Sequence, residues 1–158
     1  MPQPLSRVTP NANFEIGNVG TRPLSQRPEL AIMAMEVIAS WSHVESFMMQ
    51  MYIELAGGLE TDAAAVFLAL ETTTAKSAAI NVLAKRKLPA DHVILLRAII
   101  KIIKSGQKER DKLAHWIWGT SENIPDAILL ADPRAIPLTK NDIYVYKAID
   151  FEKHENKI

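Results

Sequence analysis

PELAIMAMEVIASWSHVESFMMQMYIELAGG, residues 28–58, is the stretch whose reading decides the fold. Its apolar residues fall in two seven-residue series: Leu30, Val37, Val44, Met51, and Ala34, Trp41, Met48, Leu55. Recurrence at steps of three and four puts both series on one side of a 3.6-residue helix, a seam made to pack against other helices. Pro28 suits a first helical turn, and Gly57 with Gly58 supplies the stop. A second apolar set, Ile32, Phe47, Met49 and Ile53, widens the buried face beyond one partner helix. Five of the six methionines, Met33, Met35, Met48, Met49 and Met51, lie in the same segment and serve as adaptable packing. A helix from Leu30 to Leu55 buried on two sides, in a bundle core and a dimer contact, is the expectation.

Downstream the helical signals continue. Thr61 and Asp62 are N-cap residues for a short helix over Ala63 to Leu70, and Thr72 to Thr74 then weaken helix propensity. A helix resumes at Ala75 and stops at Leu88, because Pro89 disfavours helix in the residue ahead of it. Asp91 caps the next helix, whose apolar positions Leu96, Ile99, Ile100 and Ile103 again follow the three-four rule. Gly106 is a point for a bend, and helical spacing resumes over Gln107 to Trp118, where Leu113 matches Ile117 and Ala114 matches Trp118, until Gly119.

Either side of this region the pattern is different. Residues 1–28 hold five of the nine prolines, so 1–27 reads as an irregular Pro-rich arm. Beyond Gly119, Ala127 to Ala131 is a short apolar run, Asp132-Pro133-Arg134 a turn, and Ile143 to Phe151 is rich in Ile, Tyr and Val. Glu152 to Ile158 is too short and too polar to bury anything, and the chain ends without an obvious final long helix. The fold class expected is all-α: a bundle of four to five helices over 28–119, with a small two-stranded or irregular appendage and polar tail over 120–158.

Composition excludes several functions. With 158 residues, 48% of them apolar, the chain can build a real core rather than a disordered tail. Cysteine is absent, which removes disulfides, thiolate metal sites and a cysteine nucleophile. The longest stretch free of Asp, Glu, Lys and Arg is the nine residues Leu113 to Ser121, about half of a membrane span, and no apolar leader follows the start. The expectation is a cytoplasmic protein without membrane contact.

Net charge is zero, but the charges are segregated. Pro28 to Ala75 contains seven acidic residues and no Lys or Arg, whereas Lys85 to Lys112 carries nine bases against Asp91, Glu109 and Asp111. Acidic and basic helices that pair with each other are one explanation. A stripe for a phosphate backbone, with Lys101, Lys104, Lys108 and Lys112 as its contacts, is the other.

Residues 109–116, ERDKLAHW, sit on the last turns of the basic helix and bring Arg, Asp and His together. Asp111 and His115 are four apart, hence on one face, where the carboxylate can accept an imidazole N–H and fix its tautomer. Arg110 lies five before His115, about 140° around an ideal helix, within reach of a shared phosphate through its long stem. Such a set suits RNA cleavage by its own 2′-hydroxyl: the imidazole moves a proton and the guanidinium stabilises charge on phosphorus, without metal. His43, His92 and His154 show no metal-ligand spacing and there is no glycine-rich phosphate loop, so no metal and no cofactor is expected.

The segment resembles the HEPN superfamily of all-helical domains, many of them metal-independent endoribonucleases, whose signature is Arg, a polar residue, then His after four to six intervening positions. Arg110, Asp111 and His115 match it, and the resemblance covers roughly residues 28–119. It implies catalytic roles for Arg110 on the scissile phosphate, His115 as general acid or base and Asp111 as its orienter. It also implies an active site formed across a two-fold homodimer, in a toxin or stress-response nuclease, with an antitoxin as a possible protein partner. Trp116 departs from the pattern by setting a bulky ring beside the histidine. Arg86 and His92 satisfy the same spacing, but Pro89 breaks the helix between them.

Three supporting residues join the set. Glu45 stands within the apolar stripe, where a carboxylate needs a partner: half of a buried ion pair, or an orienter of Arg110 or His115. Trp41 and Trp116 either stack on bases or belong to the core. The alternative to a nuclease is a non-catalytic helical module that binds RNA or protein, and a third reading is a purely structural dimer with buried Arg-Glu pairs.

Overall fold

The structure, a computed structural model, describes residues 1–10, 16–17 and 22–155. Among them the elements run β1 (Gln3–Pro4), α1 (Leu5–Val8), α2 (Arg22–Gln26), α3 (Pro28–Ala56), α4 (Glu60–Ala69), α5 (Thr73–Lys87), α6 (Ala90–His115), β2 (Ile117–Gly119), β3 (Ile128–Ala131), β4 (Ile143–Tyr146) and α7 (Ala148–Glu155). The chain is mostly helical, as expected, with one small antiparallel sheet. No described helix is long and apolar enough to cross a membrane. Two compact units emerge: Ser40–Lys108, and Met1–Ala39 together with Glu109–Ile158.

The unit of residues 40–108 is helical throughout. Met48 of α3, Phe67 of α4, Ile80 and Ala84 of α5, and Leu96 and Ile100 of α6 form its buried core. The heptad series therefore does bury here, and Trp41 lies within 3.5 Å of where a Cβ on Gly106 would stand. Gly57 and Gly58 end α3 with φ of 69° and 81°, a backbone region other residues rarely adopt. The Gly57 N–H donates to the Ile53 carbonyl at 3.0 Å, and Lys87 Nζ donates to the Ala56 carbonyl at 2.9 Å, which satisfies carbonyls that the helix leaves open. Thr61 and Asp62 do not cap α4. Its cap is Leu59, and Glu60 and Asp62 instead place their charge in the first turn, where it favours the helix dipole. Thr72 caps α5, its Oγ1 accepting from the Ala75 N–H at 3.1 Å, so that helix begins two residues before the expected Ala75. α5 stops at Lys87, ahead of Pro89, and α6 opens at Ala90, with Asp91 inside the first turn rather than at the cap.

The second unit holds the sheet, in the order β1-β4-β3-β2. A two-stranded or irregular appendage was expected, and four strands are present among the described residues. One extra strand is β1, which the irregular arm was expected to lack: Gln3 pairs with Val145 and Pro4 with Tyr144, proline being tolerated because β1 lies at an edge. The other is β2, where helical spacing had predicted that the helix continues to Gly119. Ile117 and Trp118 pair instead with Ala131 and Leu130 of β3, an arrangement that favours branched and aromatic side chains.

β3 is buried on both faces. Ile128 and Leu130, with Tyr146 of β4, pack on Leu30 and Ala34 of α3, Leu113 of α6 and Phe151 of α7. Leu129 and Ala131 pack on the other side with Ile143, Val145 and Leu5. The Ile143 to Phe151 segment is a strand only to Tyr146. The Asp150 carboxylate then accepts from the Lys147 N–H at 3.2 Å and starts α7, which runs on through residues expected to be an unattached polar tail.

Phe151 is 2% exposed and holds α7 to the sheet. Phe151→Ala is expected to cost about 3–5 kcal/mol in urea unfolding. A loss below about 1 kcal/mol would show that α7 adds nothing to this core.

Candidate active site at the end of α6

The last turns of α6 have a bonded face and a solvent face. Residues 109, 112, 113 and 116 recur at steps of three and four, and all four are tied to the sheet or to one another. The Tyr146 hydroxyl donates to Glu109 Oε2 at 2.9 Å. Lys112 Nζ donates to Glu109 Oε1, also at 2.9 Å, and lies over the rings of Tyr144 at 4.4 Å and Trp116 at 5.5 Å. Trp116 meets Tyr144 edge-on, with ring centres 5.7 Å apart. Leu113 is in the core, and the Trp118 Nε1–H of β2 donates to its carbonyl at 3.1 Å. That bond, with the Trp116 N–H on the Lys112 carbonyl at 3.0 Å, closes carbonyls that a helix end leaves open.

The Glu109 carboxylate is 13% exposed and its two oxygens each have a hydrogen-bonded partner. Burial, reinforced by the Glu109 charge, pushes the Tyr146 phenol above its ordinary value, so it stays a hydroxyl donor. Lys112 is 20% exposed and committed to this cluster, not presented as a phosphate contact. Trp116 is half-buried among the same groups, so the ring expected to crowd the histidine is held by Tyr144 and Lys112.

The three signature residues occupy the other side. Arg110 Nη1 contacts Asp111 Oδ1 at 3.0 Å, with the side chains 23% and 42% exposed. His115, the last helical residue, is exposed, and its ring makes no hydrogen bond or ion pair among the described residues. The expected Asp111-to-His115 bond is therefore not made: the guanidinium next door takes the carboxylate. The Asp111 side of this pair reaches solvent, whereas the Arg110 side chain is half-buried. The His115 ring is open to solvent.

The supporting residues divide between the units. Trp41 is buried on α3 against Gly106, a core residue rather than a stacking surface. Glu45 is half-buried and forms no ion pair or hydrogen bond among the described residues, so its expected pair is not made. Lys101, Lys104 and Lys108 are exposed on α6 and, like Arg97, have no acidic partner there. Within residues 40–108, no ion pair joins the acids of α3 and α4 to the bases of α5 and α6. Mutual neutralisation of the two charge runs does not occur in that unit. Among the described residues no three His, Asp or Glu side chains converge on a possible metal position, and the side chain of His154 lies outside them.

Sequence reasoning missed Glu109, Tyr144, Tyr146 and Trp118. A Glu three residues ahead of a Lys was a local hint of the Glu109–Lys112 pair. Nothing local links Glu109 to a tyrosine 37 residues later.

Glu109→Ala would strand a buried hydroxyl and an ammonium, and is expected to destabilise by about 2–4 kcal/mol. Asp111→Ala, which breaks only the exposed pair, should cost under about 1 kcal/mol. Equal losses in chemical denaturation would refute this division of the helix into an anchored and a free face. No protein-family model, no curated protein and no solved structure matches this chain, so the functional reading rests on the chemistry of residues 109–118.

Proposed function

We propose that the end of α6 is the active site of a metal-independent endoribonuclease of HEPN type, acting as a homodimer. The observation that supports this most is a solvent-facing imidazole five residues after a guanidinium that pairs with a partly exposed carboxylate, on a helix end anchored through its opposite face. The scissile phosphate displaces Asp111 from Arg110, which then stabilises the charge that builds on the phosphorus oxygens. His115 takes the proton from the 2′-hydroxyl, or delivers one to the departing 5′-oxygen. One bond forms from the 2′-oxygen to phosphorus and the bond to the 5′-oxygen breaks, leaving a 2′,3′-cyclic phosphate and a 5′-hydroxyl. A two-fold partner contributes the second imidazole, so one copy acts as base and the other as acid. Lys101, Lys104 and Lys108, unneutralised by any acid, raise the local concentration of RNA.

A second reading, a non-catalytic module that binds RNA or a protein partner such as an antitoxin, has one observation in favour of its protein form. The unit of residues 40–108 carries an open apolar groove of about 560 Å³, lined by Val44, Phe47 and Met51 of α3 and Leu96, Ile99 and Ile103 of α6. Phe47 is 65% exposed on its wall, an apolar surface of the kind that partner helices cover.

Labelled RNA incubated with the protein in EDTA should be cut to 2′,3′-cyclic phosphate ends. His115→Ala and Arg110→Ala should each slow cleavage by about 10²–10⁴-fold at matched folding. RNA bound but not cut by the wild type would favour the binding module. Replacing Lys101, Lys104 and Lys108 with Glu should weaken RNA binding, and the slope of log K against log salt should fall by about 0.7 for each lysine that meets a phosphate. An unchanged slope would place the RNA elsewhere.

A further inference from the structure

Two anchors hold the end of α6, at different heights along its axis. The first is Glu109, bonded to Tyr146 of β4, and the second is the Leu113 carbonyl, bonded to Trp118 of β2. Four residues, about 6 Å of helix, separate them. One anchor alone leaves the helix end free to swivel, whereas two fix both its rotation and its tilt. Arg110, Asp111 and His115 leave the helix on the faces that this rotation sets.

The chemistry of the first anchor is informative. A largely enclosed ionic cluster at the edge of a core is seldom the most stable filling for its place, since apolar side chains of similar volume serve as well or better. What a fully satisfied polar cluster adds is a single geometry, because each donor accepts one placement of its acceptor. Here Glu109 divides its oxygens between Tyr146 and Lys112, and the Lys112 ammonium is fixed in turn over Tyr144 and Trp116. The two ends of the cluster bracket Arg110 and Asp111 in the chain.

We infer that Glu109, held between Tyr146 and Lys112, is a positioning residue that sets where Arg110 and His115 stand, an inference that rests on the ribonuclease reading. It touches no substrate. It acts by denying the last turns of α6 any rotation that would carry the guanidinium and the imidazole out of reach of one phosphate.

Tyr146→Phe is the sharpest test, since it deletes one hydroxyl and keeps the ring in the core. The cleavage rate at saturating RNA should drop about ten- to hundredfold, the range expected when reacting groups are misplaced by about an ångström, with KM within about twofold of wild type. Glu109→Gln, which retains an acceptor for the Tyr146 hydroxyl, should lose less activity than Glu109→Ala. Amide hydrogen exchange should quicken over residues 111–116 while β3 stays protected. A Tyr146→Phe protein that unfolds more easily but cleaves at the wild-type rate, or whose exchange over 111–116 is unchanged, would overturn the positioning role and leave the nuclease reading intact. A wild type that does not cleave RNA, or a His115→Ala protein that cleaves equally well, would overturn the nuclease reading and this inference with it.

Discussion

The Glu109 carboxylate is the constraint on which the second unit is organised. An acid this enclosed needs each oxygen satisfied, and here a partner from the sheet and a cation from the same helix meet that demand together. Tyr146 supplies the first and Lys112 the second. For Tyr146 to do so, β4 must lie in register beside β3, where Ile128 faces Tyr146. β4 is also an interior strand, with β1 on its other edge. The position of the helix end thus depends on pairings made by residues at the start and near the end of the chain.

This dependence explains which features were legible in the sequence. The heptads of α3 bury Ala34, Trp41 and Met48 as their spacing required, and Pro89 ended α5 where its ring forbids helix. The apolar run at 127–131 was a strand, because a continuous run is what burial on both faces needs. Each of these is decided within a few residues. β1 is two residues long and one of them is proline, so nothing local marks it, and its partner strand creates it. β2 read as helix because Ile117 and Trp118 fit a 3.6 period as well as a strand. Cross-strand pairing and the indole bond to Leu113 settled the matter.

The candidate site was legible to the same degree. The order Arg110, Asp111, His115 is a local pattern and was visible, but the contacts among those residues were not. Spacing allowed Asp111 to reach His115, yet Arg110 is nearer and binds a carboxylate more strongly than a ring N–H does, so the ion pair forms. Lys112 looked like one more surface cation, and only the pair of rings contributed by β4 and the end of α6 shows that it is enclosed. Glu45, placed among apolar residues by its spacing, proves half-buried, which leaves its carboxylate access to water and removes the need for a partner.

A contrast between two ion pairs one residue apart follows from the same geometry. Glu109 with Lys112 is enclosed and hydrogen-bonded to the sheet, so either partner is costly to lose and the pair is fixed. Arg110 with Asp111 is the looser pair, its carboxylate 42% exposed and within reach of solvent. The ribonuclease proposal calls for two properties: a carboxylate beside the guanidinium that solvent can reach, and a backbone that does not move when an anion binds. The fixed pair provides the second property and the loose pair the first. Interchanging their environments would leave a guanidinium locked in the core and a helix end free to turn. The proposed reading of this segment therefore depends less on the presence of Arg and His than on Glu109 being the more enclosed of the two carboxylates that flank Arg110.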